Sequence, residues 1–222
     1  AVNLWYVLAW FTRRPATRLS LVYPPTDDVR GLGVLAPAQL VALFGERRPV
    51  ATPMLELGRR AWEAYTDASP RAAGALATRD SPVSQGSSAS QVSEALPFVR
   101  ESFRCHFGRF PSVGTGLSEV EAATLDALEG GAKRVGDLFP AVTTDARGRR
   151  HGMGDVQFAA CVRGLAPLVS LSGADVTSAE VAVTARAREV RSGRRDWPSV
   201  RPLDLWLGGV RLQGDRPRWR WD

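Results

Sequence analysis

Four side chains combine nucleophilicity or titration near neutrality: Cys105, Cys161, His106 and His151. A cysteine attacks as its thiolate, and a histidine facing it can take the proton. Cys105 and His106 are sequence neighbours, and consecutive side chains on a helix diverge by about 100°, so the two do not form such a pair. His151 stands in the loop His151-Gly152-Met153-Gly154-Asp155. An N-cap role for Asp155, or polar contacts inside the loop, accounts for that stretch. The histidines lack H-x-x-x-H and H-E-x-x-H spacing and the cysteines lack C-x-x-C spacing, so no metal site and no cofactor is expected. Two free thiols of a cytoplasmic protein are expected, with a disulfide as the alternative.

Phosphate chemistry has two candidate carriers. Neither G-x-x-x-x-G-K-[ST] nor G-x-G-x-x-G occurs, and Gly31-Leu32-Gly33 stops short of the latter. Pro111 to Gly116 precedes a helix start, where the backbone of Gly114, Thr115 and Gly116 could hold an anion; a loop feeding a helix cap explains it equally. Arginine is the second carrier. The 222 residues hold 29 basic and 23 acidic side chains, net +6, and Lys133 is the single lysine among them. So strong a bias resembles GC-rich coding, which weakens arginine count as evidence for nucleic acid. The charge is also uneven: residues 111–185 hold 6 basic and 9 acidic side chains, whereas residues 186–222 hold 10 arginines against 5 acidic residues. Arg147, Arg149, Arg150, Arg163, Arg211, Arg218 and Arg220 are the candidate DNA or anion contacts.

The elements that must position these groups read as mostly α with small β pieces, an α+β chain. Val2 to Phe11 is too short for a membrane span, which needs about 20 apolar residues, and its basic residues follow it; it reads as a buried helix. Arg18 to Tyr23 reads as a short buried strand. A helix and a buried strand in that order suggest the remnant of an α/β unit; one strand builds no sheet, so either upstream sequence is missing or the strand pairs elsewhere. Pro37, Thr52-Pro53 and Ser69-Pro70 start three further helices, with Thr52 as an N-cap. Residues 1–80 are therefore a helical region, and 81–95 a Ser-rich flexible loop.

Residues 96–222 read as a winged-helix-like domain. Leu96 to Phe110 is helical, with Val99, Phe103, Phe107 and Phe110 on one side. Ser118 and Glu121 form a capping box for a helix ending at Gly130-Gly131. A short apolar segment follows from Val135 to Val142, then a helix over Gly154 to Leu165 with Phe158, Val162 and Leu165 inward. Two strands, Leu168 to Leu171 and the alternation around Val181 and Val183, form the wing, and a helix covers 185–191. The tail reads as one helical turn over Leu203 to Leu207. A hairpin then pairs Val210-Arg211-Leu212 with Trp219-Arg220-Trp221, burying tryptophans and turning Arg211, Arg218 and Arg220 outward.

Four blocks carry a family resemblance: Leu19-Ser20-Leu21-Val22-Tyr23; Leu96-Pro97-Phe98 with Phe110 to Ser118; Met153-Gly154-Asp155; and Trp206 to Val210 ending in Trp219-Arg220-Trp221-Asp222. Together they resemble a bacterial cytosolic family designated as a domain of unknown function. The resemblance implies an additional upstream α/β domain and no particular activity. In this chain Arg211 stands where relatives often have histidine, and the Ser-rich stretch looks like an insertion. The expectation is a non-enzymatic interaction or regulatory module. Its partner would be a protein or an upstream domain, with weak DNA contact as a further candidate and no membrane. The alternative is the accessory half of an enzyme acting on a nucleotide or phosphorylated compound.

Overall fold

The computed structural model describes residues 1–14, 17–23, 32–78, 96–131, 134–145, 148, 150–173 and 178–222. The Ser-rich stretch, Arg147 and Arg149 lie outside them. The chain divides into two units, Ala1–Ser102 and Phe103–Asp222.

In the first unit, α1 (Val2–Phe11) packs along α3 (Thr52–Thr66). Trp5 and Leu8 are buried, while Tyr6, Val7 and Trp10 are exposed. The apolar run is thus one-sided in its packing, where the sequence suggested burial all round. Rings on its flank meet α3, with Tyr6 and Trp62 edge to face at 5.1 Å. Met54, Leu57, Gly58, Ala61 and Ala64 form the buried stripe of α3. Between these helices lie β1 (Ser20–Leu21), a 3-10 turn (Leu32–Val34), α2 (Pro37–Gly45) and β2 (Arg48–Pro49); α4 (Arg71–Ala77) follows α3. β1 pairs antiparallel with β2, Ser20 opposite Pro49 and Leu21 opposite Arg48. The strand is short, largely exposed and partnered within the chain, where Arg18 to Tyr23 read as a longer buried one. Thr52 also moves: Ala51 is the N-cap, and Thr52-Pro53 are the first helical residues.

Helix α5 (Val99–Phe107) buries Val99, Phe103 and Phe107 on one side, with Phe110 buried beyond its end. In the second unit α6 (Glu119–Glu129) begins with the expected capping box: Glu121 Oε2 accepts from both the Ser118 backbone N–H and its hydroxyl at 2.8 Å. The apolar segment after Gly131 is a helix, α7 (Val135–Thr144), which continues through Pro140. Next come α8 (Asp155–Gly164), β3 (Val169–Ser172), β4 (Glu180–Val183), α9 (Ala185–Arg191) and α10 (Trp197–Val200). Gly154, not Asp155, is the N-cap of α8. β3 and β4 pair antiparallel with Leu171 opposite Val181, and Arg134, just ahead of α7, bridges Glu180 on β4. Leu125, Leu138, Val142, Phe158, Val162, Leu165, Leu168 and Val190 are buried in one core.

The tail differs from its expected form. Leu203–Leu207 is β5, not a helical turn, and it pairs with β6 (Val210–Gly214) through a two-residue Gly208-Gly209 turn, Gly208 having φ +63°. The positive φ at the first turn position is why glycine stands there. Trp219-Arg220-Trp221 therefore does not pair with β6. Trp221 instead makes a parallel bridge to Ser112 and stacks on Phe107 with ring centres 4.7 Å apart. Mixed α and β elements, with three small two-stranded antiparallel sheets among the described residues, make up the fold.

Candidate functional site

The end of α5, the first residue of α6 and the turn ahead of α8 meet inside the second unit. The capping box fixes Glu119 as the first residue of its helix. Its backbone N–H donates to the Gly108 carbonyl at 2.8 Å. Gly108 is buried, and a Cβ there would overlap the Glu119 carboxylate; the missing side chain is what lets the acid lie against the end of α5.

Three groups gather on and around that carboxylate. Arg150 Nε donates to Glu119 Oε2 at 2.9 Å, and Arg150 Nη2 donates to Oε1. His151 Nε2 lies 2.9 Å from the same Oε2. An ionised carboxylate held by a guanidinium only accepts, so Nε2 carries the imidazole proton and donates. In a neutral ring Nδ1 is then the acceptor. It faces Cys105 Sγ at 3.5 Å, and the thiol also reaches the Arg150 carbonyl oxygen at 3.2 Å.

The His151 side chain is shielded from solvent, and this burial holds its pKa below the ordinary histidine value. The hydrogen bond and negative charge of Glu119 pull the other way; Arg109 and Arg150 reinforce the depression. The resting imidazole is thus neutral at physiological pH, with an acceptor nitrogen beside a half-buried thiol. Chemically this is a base placed on a nucleophile and oriented by a third group.

The other two members of the sequence inventory differ. Burial pushes the Cys161 thiol up to about 12, which keeps it protonated and inert. Burial likewise lowers His106, to about 4, where its ring meets Phe107 and Phe110. Neither cysteine is disulfide-bonded. Sequence reasoning compared Cys105 with its neighbour His106 and missed His151, because that pairing is made by packing alone. The usable signal was the capping box, which places Glu119 at a helix start.

The predicted arginine contacts are mostly occupied within the fold. Arg150 is held by Glu119. Arg220 is half-buried and bidentate on Asp196, at 2.7 and 2.5 Å, which corrects its expected outward placement. Arg211 pairs with Asp204 at 3.0 Å, and Arg218 lies over the Trp219 ring at 5.1 Å. Arg163 is exposed on α8.

The candidate anion loop is similarly committed. Val113 N–H donates to the Trp221 carbonyl, Gly116 N–H to the Ser112 carbonyl, Thr115 N–H to the Ser112 hydroxyl and Leu117 N–H to the Thr115 hydroxyl. Gly116 (φ +74°) packs against Asp196 and Pro198, so a carboxylate adjoins it. Gly114 is exposed at the loop tip. The convergent free amides that an anion needs are thus largely used up.

A groove of about 480 Å³ lies along the β3–β4 hairpin, lined among others by Leu128, Glu129, Glu180, Val181 and Arg188. Two carboxylates and one guanidinium make its rim slightly acidic. Among the described residues no helix is long and apolar enough to cross a membrane, and no group of three or more His, Cys, Asp or Glu side chains is placed to hold a metal ion. Comparisons with protein-family models, with curated proteins and with solved structures return no match.

Proposed function

We propose that residues 118–191 are a winged-helix module, and that the chain is a non-enzymatic regulatory protein acting through this module on a protein partner. The observation that carries the reading is the order α6, bridge at Arg134, α7, α8, β3, β4, with Arg134 laid against Glu180 in an isolated antiparallel bridge. That is the sequence of elements in which the third helix is the presenting surface and the hairpin is the wing.

Charge then selects the partner. Duplex affinity depends on cations that displace counterions from phosphates. The outward side of α8 offers Asp155, Val156, Gln157, Ala160 and Arg163, one acid against one base, with Val156 74% exposed. Arg150 is spent on Glu119, and Arg191 on Asp126 and Glu129. A face with one exposed aliphatic side chain and balanced charge fits a protein surface better than a phosphate backbone. The alternative, an accessory half of a phosphoryl-compound enzyme, loses support with the amides of the 111–116 loop, which are engaged internally.

The test is fluorescence anisotropy of a labelled random duplex at 50 and 200 mM salt, beside photocrosslinking from a probe at position 160. Expected are no duplex binding tighter than about 100 µM, the weak edge of non-specific affinity, and one crosslinked protein band that Val156→Glu removes. Submicromolar, salt-sensitive duplex binding would overturn the proposal, as would crosslinking that Val156→Glu leaves unchanged.

A further inference from the structure

We propose that Cys105, with His151 and Glu119, is a thiol–disulfide exchange site that accepts a low-molecular-weight disulfide and becomes S-thiolated. The site shares Glu119, Arg150 and His151 with residues 118–191, but its chemistry does not depend on the winged-helix reading and is tested separately.

The geometry supplies each part. Cys105 Sγ sits 3.5 Å from the lone pair of His151 Nδ1, and the opposite nitrogen is anchored on Glu119 at 2.9 Å. Arg150, clamped on the same carboxylate, holds it in place and so fixes the ring's tautomer. Cys105 is half-buried rather than sealed in the core, as access by a small partner requires. Cys161 lacks such a base and is held as a thiol by burial.

Position on the helix decides between two thiol chemistries. Acyl transfer needs backbone N–H groups aimed at a developing oxyanion. Cys105 lies in the last turn of α5, where amides are committed to carbonyls four residues back and the helix presents carbonyl oxygens. The Arg150 carbonyl at 3.2 Å from the sulfur adds another acceptor. Among the described residues, that turn offers the sulfur carbonyl oxygens rather than free amides. Exchange with a disulfide requires none, since charge passes from one sulfur to another.

The step balances as follows. The Cys105 proton passes to His151 Nδ1, and the thiolate attacks one sulfur of the disulfide. A new S–S bond forms as the old one breaks, and the departing thiolate takes the proton back from His151. The products are a mixed disulfide on Cys105 and one free small thiol, and the added disulfide is the oxidant. The thiol faces two acceptors, the Arg150 carbonyl and His151 Nδ1, and the thiolate arises as the proton passes to the imidazole. Among the described residues, the charged groups acting on His151 are Glu119, Arg109 and Arg150.

Glutathione disulfide is the probe, applied to the full chain, with peptide mass mapping of both cysteines over time. The expected result is thiolation of Cys105 at least about tenfold faster than of free cysteine at pH 7, with Cys161 unmodified in the folded protein. The Cys105 rate is expected to stay nearly flat between pH 7 and 8, whereas that of free cysteine falls with its thiolate fraction below about pH 8.5. His151→Gln and Glu119→Gln, each verified as folded by circular dichroism, should lower the rate about tenfold and restore the ordinary pH dependence. Should either variant unfold, the wild-type pH profile decides alone. A Cys105 that reacts no faster than free cysteine, or whose rate survives both substitutions, overturns the proposal.

Discussion

Gly58→Ala sets two energies of opposite sign against each other. Gly58 lies on the buried stripe of α3, facing Leu8 of α1, which is 1% exposed. A methyl group there would come 2.5 Å from Leu8 Cβ and 2.7 Å from its Cδ1. The first of those atoms is fixed to the backbone, so no rotamer change relieves the overlap and α1 itself must shift. Overpacking of this kind costs about 1–3 kcal/mol. Replacing a helical glycine by alanine returns about 1 kcal/mol. The net expectation is a loss of about 1 kcal/mol. Gly74 in α4 supplies the control: nothing lies within 4 Å of an added Cβ, so Gly74→Ala should stabilise by up to about 1 kcal/mol. Urea unfolding followed by circular dichroism measures both, and hydrogen exchange over residues 2–11 localises the first to α1. If Gly58→Ala stabilises as much as Gly74→Ala, the close approach of α1 to α3 is wrong.

Two further outcomes follow from the second unit. His106 titrates at about 4 when folded and near 6.5 when unfolded. The unfolded chain therefore binds more protons between those values, and stability present above pH 6.5 falls as pH drops toward 4. At about 1.4 kcal/mol per pKa unit the loss approaches about 3 kcal/mol; urea midpoints at pH 7 and 4.5 should reveal it, and His106→Phe should flatten the difference. Arg220→Ala removes a half-buried bidentate pair with Asp196 and its link to the Ser112 carbonyl. A loss of about 1–2 kcal/mol is expected, whereas Arg218→Ala, an exposed neighbour, should change the same urea midpoint little.

What the sequence disclosed depended on the range of the interactions. The Ser118–Glu121 capping box is local chemistry over four residues, and it stands where it was read. The inward spacing of Phe158, Val162 and Leu165 is likewise a property of one helix. Leu203–Leu207 went the other way, because a five-residue apolar run is compatible with one helical turn or one strand. Its alternation of Leu203, Leu205 and Leu207 with Asp204 and Trp206 was the strand signal, and Gly208-Gly209 was its turn rather than a helix stop. Arg220 read as outward because strict alternation was assumed in a segment that forms no ladder with β6. The Cys105–His151–Glu119 arrangement was illegible for a different reason. Its members sit on separate elements, and only the absence of a side chain at Gly108 lets two of those elements close on each other.

The stack of Trp221 on Phe107, with the Ser112 bridge beside it, brings the two ends of the second unit to one place. In mechanical terms that contact is a latch. Tension applied at Asp222 loads that ring pair and the Trp221 backbone bonds to Pro111 and Val113 before it reaches the core beneath.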